Sequence, residues 1–108
     1  MRRIDQPEKE FRRHPRYIFS GTLHLVGNYG ARMNVADLSL SGVRFRSPFS
    51  LGVGLEVEMV FLAYNMTVKG TVRQESDAEG KHWQIGVEFD TPQPELLKVA
   101  INMASHAN

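Results

Sequence analysis

In Leu55-Glu56-Val57-Glu58-Met59-Val60-Phe61, the apolar residues Leu55, Val57, Met59 and Phe61 fall on every second position. A period of two buries one face of an extended strand and leaves the other wet; a helix, at 3.6 residues per turn, cannot present it. The same short period recurs along the chain and constrains its fold more than any other feature. Tyr17–Val26, with regular structure starting near Arg16, sets Phe19, Leu23 and Leu25 on one side. Ala31, Met33 and Val35 oppose Arg32 and Asn34 in a second strand that stops at an Asp37–Gly42 loop. Val43-Arg44-Phe45-Arg46 is a third, with the arginines outward, closed by Ser47-Pro48 because proline removes a ladder donor. Thr67–Arg73 follows Leu55–Phe61, and Trp83, Ile85, Val87 and Phe89 line up in the last run. Turn signals separate the runs at Gly27-Asn28-Tyr29-Gly30, Gly52-Val53-Gly54, Ala63-Tyr64-Asn65-Met66 and Asp77-Ala78-Glu79-Gly80.

Six such strands with short connections predict an all-β domain over residues 16–90: an antiparallel sheet closed into a small six-stranded barrel. Closure hides the edges that an open sheet this short would expose. After Pro92 the period changes. Leu96, Leu97, Ala100, Ile101 and Met103 fit helical spacing and Pro94 suits a first turn, so residues 91–108 hold one C-terminal helix (94–104) and a tail. The helix is expected to pack on the barrel or lie over its mouth. A chain of 108 residues supports one such domain with one modest core.

Residues 1–15 are polar, contain Pro7 and Pro15 and show no period, which reads as a flexible basic N-terminal arm. The net charge is +1, but residues 1–16 carry six basic against three acidic side chains, and the remainder seven against nine. A binder of nucleic acid polymers spreads positive charge over a whole face. Charge concentrated in one arm suits a compact phosphate ligand instead.

Other chemistries find little support. There is no cysteine, which excludes disulfides and thiolate metal sites. His14, His24, His82 and His106 show no ligand spacing, so no metal or cofactor is expected. No nucleophile elbow is present, and Gly52-Val53-Gly54 lacks the lysine of a phosphate loop, so no enzymatic role is expected. The start, Met1–Glu8, has no apolar run, and no stretch approaches the ~20 apolar residues of a membrane span. The expected location is the cytoplasm, without insertion into a membrane.

Two motifs carry the positive signal. Arg12 and Arg16, four residues apart with Arg13 between them, precede the first strand. The planar guanidinium fork binds phosphate bidentately and stacks on nucleobases, which lysine does not. About twenty residues later, Asp37-Leu38-Ser39-Leu40-Ser41-Gly42 supplies a carboxylate that can accept paired N–H donors, a hydroxyl and a permissive backbone. Taken singly, the first reads equally as a solubilising tail and the second as a structural turn.

The ordered set, R-x-x-x-R, then D-x-S-x-x-G, then the late strand Ile85-Gly86-Val87-Glu88-Phe89, resembles the PilZ domain family of cyclic di-GMP receptors over residues 12 to about 104. The resemblance implies a six-stranded barrel with a C-terminal helix. It implies that Arg12 and Arg16, helped by Arg13, hold the phosphates and guanine faces of cyclic di-GMP, with Asp37, Ser39 and Gly42 lining the barrel half of the site. Arg44, outward after the motif, and Trp83, which reads first as core or rim, are secondary candidates. Phe11 in place of a further cation favours one ligand per chain over a stacked pair, whose phosphates would repel. The expected role is a non-enzymatic receptor that orders its arm on the ligand and signals in trans to a protein effector. The alternative is a ligand-independent interaction module of a motility, pilus or exopolysaccharide system. A small-barrel binder of single-stranded nucleic acid ranks third, because Phe19, Phe45, Phe61 and Phe89 face inward rather than forming a stacking surface.

Overall fold

The computed structural model describes residues 2–4, 14–27, 32–78 and 80–106. Most of the expected arm, residues 28–31 of the expected turn and the start of the next strand, Glu79 and residues 107–108 lie outside them. Among the described residues, seven strands and one α-helix follow in order: β1 (Arg2–Ile4), β2 (Arg16–Leu25), β3 (Arg32–Ser39), β4 (Gly42–Ser47), β5 (Glu56–Phe61), β6 (Met66–Ala78), β7 (His82–Phe89) and α1 (Pro94–His106). All pairings are antiparallel, and the strand order is β1-β2-β3-β4-β7-β6-β5. A further pairing of β2 with β5, through His24 with Val60 and Leu25 with Met59, closes β2 to β7 into the expected six-stranded barrel.

The closing seam is narrow, so β2 plays two parts. Its C-terminal end meets β5, while at Arg16–Ile18 it is flanked by β1. β1 has only three residues, too few to display an alternation, and the sequence reading did not anticipate it.

The inward positions build one core. Leu23, Met33, Leu38, Phe45, Met59, Val72 and Ile85 are fully buried, with Phe19, Phe61, Val87 and Phe89 beside them. Besides a register shift between Ile18 and Gly21 of β2, two bulges carry β3 and β6 past their expected ends. One lies between Val35 and Asp37, the other between Val72 and Gln74. An extra residue flips the phase, so Val35 and Leu38, three positions apart, both face inward. β3 therefore continues through Ser39, and β6 runs to Ala78 rather than ending near Arg73. Asp37 and Ser39 are among the last residues of a strand, not in a loop as expected.

Leu62–Tyr64 form a single 3-10 turn that ends at Asn65 in the left-handed region. The Tyr64 ring tilts against Phe19 at 5.9 Å between centroids. Strand direction puts the starts of β2 and β4 and the ends of β3, β5 and β7 at one end of the barrel. α1 leaves β7 at that end. It is tied there by the Gln93 amide donating to the Leu40 carbonyl, 2.9 Å, and it places Leu96 and Ala100 in the core with no exposure.

Candidate functional site

The sheet register carries Asp37 to the outer surface beside Arg44 of β4 and Ile18 of β2. Arg16 stands opposite Ser39, one outward position further along. From there the Arg16 guanidinium reaches diagonally and donates to Asp37 Oδ1. Arg44 Nε lies 3.6 Å from the other carboxylate oxygen. The Asp37 side chain is only 8% exposed and that of Arg16 12%, so this pair is largely desolvated, while the Arg44 side chain beside it is 30% exposed. The formal charge of the three groups together is positive. Arg16 Nε and Arg44 Nε have no hydrogen-bond partner, nor has His14 Nδ1 two residues ahead of Arg16.

Ser39 does something other than face a ligand openly. Its buried hydroxyl accepts from the amides of Gly42 (3.1 Å) and Ser41 (3.3 Å) and staples the tight turn between β3 and β4. Gly42 is needed for close approach, not for an unusual backbone angle: a Cβ there would stand 2.5 Å from the Val87 carbonyl oxygen, and its φ is not positive. That corrects the conformational reason given by sequence alone. The motif thus divides its labour. Ser39 and Gly42 set the turn against β7, and Asp37 faces the arginines.

The structure brings together Arg16, Asp37, Ser39, Gly42 and Arg44. Arg12 and Arg13 lie outside the described residues. Trp83 belongs to the inward series of β7 and packs against the core, on the opposite face from Gly86. Sequence reasoning passed over the surface that continues from Arg44 across β7 and β6. There a groove of about 550 Å³ is lined by Arg44, Arg73, Gln74, Gln84 and Gly86 among others. The available signal was Gly86 itself, a glycine inside a strand pattern, which marks a bulge or a close approach.

Glu75, which also lines this groove, grips the loop after β4. Its carboxylate accepts from the amides of Leu51 (2.6 Å) and Gly52 (2.9 Å) and from the Ser50 hydroxyl (2.6 Å). The Gly52 amide first, then the Ser50 hydroxyl, hold its pKa below the ordinary 4.5. Gly52 and Gly54 have φ of +97°, as their turn requires. Burial raises the Tyr64 hydroxyl above its ordinary value. Among the described residues no group of three or more His, Cys, Asp or Glu side chains could hold a metal ion, and no helix is long and apolar enough to cross a membrane.

The family model for the PilZ domain matches residues 10–103, nearly the whole chain. No curated protein matches the chain at a significant level.

Proposed function

The chain belongs to the PilZ domain family, and on that premise we propose that it is a receptor for cyclic di-GMP that signals through a protein partner. The observation that carries the reading is the Arg16–Asp37–Arg44 cluster. Two guanidiniums converge on one carboxylate at the outer surface, so the cluster keeps a positive excess after the internal pair is made.

The same groups serve two states. Without ligand, Asp37 neutralises Arg16. With ligand, a phosphate competes for the Arg16 fork, and the Asp37 carboxylate, once released, accepts the N1–H and N2–H donors on the edge of guanine. Each charge lost in one pairing is regained in the other, so the exchange avoids leaving a desolvated ion alone. Arg12 and Arg13 add charge from a segment that ends at Arg16 and therefore close over the ligand from beside the cluster. The bound nucleotide and this segment then form a surface that the free protein lacks, and the ligand shifts the population towards it by its contacts in that state alone.

A second reading has its own support. Arg16 is already engaged by Asp37 and Ser39 by its turn, as in a barrel that docks to a motility, pilus or polysaccharide machine without any ligand. Calorimetric titration separates the two. Wild type is expected to bind cyclic di-GMP, and Arg16→Ala to weaken it by about ten- to a hundredfold, the worth of one charge-assisted phosphate contact. No detectable binding by wild type at high-micromolar ligand leaves the second reading.

A further inference from the structure

The edge of β2 away from β3 is divided between two strands. β5 covers His24 and Leu25, and β1 covers Arg16–Ile18. Among the described residues no strand pairs with residues 19–23 on that side. β1 is three residues long, short for a strand. Its register also suits the edge badly. Arg2 stands opposite Ile18, which is 39% exposed, and Ile4 stands opposite Arg16. Residues directly opposite in an antiparallel pair have Cβ atoms about 5 Å apart, and apolar pairs or pairs of opposite charge are the ones that stabilise. Here a cation is set against an apolar residue, and an apolar residue against a cation. Arg2 and Arg3 also bring two positive charges to an edge where Arg16 and Arg44 already outnumber Asp37.

Arg16 shows what is missing. Its guanidinium donates to Asp37 on the β3 side, while its Nε is buried without a hydrogen-bond partner. Native structures seldom leave such a donor unpaired. A carboxylate directly opposite Arg16, on the side where β1 lies, is close enough to accept from Nε. It also brings the group of Arg16, Arg44 and Asp37 to neutrality. We propose that β1 covers a docking edge for a protein partner. An extended segment of the partner replaces β1 and pairs antiparallel with Arg16–Ile18. It carries an apolar residue opposite Ile18, an acidic residue opposite Arg16 and one residue between them. Strand addition takes its affinity from main-chain hydrogen bonds and its selectivity from alternate side chains. β1 of a second copy is the poorer occupant, because it repeats the mismatched pairs. The docking uses Arg16 and therefore belongs to the nucleotide-free chain; it does not rest on the receptor reading.

The probe is an end-blocked synthetic peptide, Thr-Ile-Thr-Glu-Thr, titrated into the full chain without cyclic di-GMP and followed by amide NMR. The control peptide has lysine for glutamate. The glutamate peptide is expected to shift the Arg16, Tyr17 and Ile18 amides and the Arg16 Nε–H, and to bind at least about fivefold more tightly than the control. Arg2→Ile/Ile4→Glu writes the favoured pattern into β1 itself. This variant is expected to slow hydrogen exchange along Arg16–Ile18 and to weaken peptide binding at least about fivefold. No binding of the glutamate peptide at several millimolar, equal binding of the two peptides, shifts that spare Arg16–Ile18, or full peptide binding by the variant overturns the proposal. A concentration-dependent dimer of wild type in sedimentation, with the same amides shifting in the absence of peptide, also overturns it and assigns the edge to exchange of β1 between copies.

Discussion

Asp37 is 21 residues from Arg16 in sequence, yet its carboxylate is the charge around which the outer surface is organised. Taking two ions out of water is costly, and the cost is recovered only while each keeps its partner. Removing the acid therefore does more damage than removing either base, because it leaves two guanidiniums without their shared counter-ion. Asp37→Ala is expected to lower stability by about 3 kcal/mol. Arg16→Ala is expected to cost less, since Arg44 still faces the carboxylate at 3.6 Å. Urea denaturation of the two variants measures the order. An Arg16→Ala loss as large as that of Asp37→Ala would show that Arg44 contributes nothing to the cluster.

At the scale of elements, the strands that run without interruption were plain from their alternation, as in β5 and β7. The ends of β3 and β6 were not. A bulge changes the phase of a strand without changing its composition, so by sequence Leu38 reads as loop although it is fully buried, and Asp37 and Ser39 read as loop with it. For the site, residue identity was legible because guanidinium, carboxylate and glycine have few substitutes in this arrangement. Arg44 was legible as an outward cation after the motif, but the groove was not, because register rather than sequence spacing brings β4, β7 and β6 side by side. The loop after β4 offers a test of one such long-range tie. Glu75 has its folded pKa below 4.5, so the grip it provides is present above that pH and is lost as pH falls through the lower folded value. Hydrogen exchange at the Leu51 and Gly52 amides, corrected for intrinsic rates, is expected to stay constant from neutral pH to pH 5 and to accelerate as the acid protonates. Glu75→Gln should remove that pH dependence; acceleration that persists in the variant would assign it to another group.

For the molecule as a whole, the barrel has one end that strands alone do not close. α1 covers it, and it is the end at which Arg16 and Ser39 stand. Leu96 is the larger of the two helix residues that enter the core with no exposure, so truncation leaves a cavity between helix and strands that cannot collapse without moving α1. Leu96→Ala is expected to cost about 2–5 kcal/mol, at the level of a fully buried leucine elsewhere. The described tie between the helix and the motif hairpin runs through backbone, from the Gln93 amide to the Leu40 carbonyl. Stability and ligand affinity should therefore separate: at temperatures where the variant remains folded, cyclic di-GMP affinity is expected within about twofold of wild type, as for independent sites. Denaturation and calorimetry on the same preparation decide the matter. An affinity loss in Leu96→Ala that matches Arg16→Ala would mean that the helix sets the turn between β3 and β4, and that capping the barrel and forming the binding surface are one event.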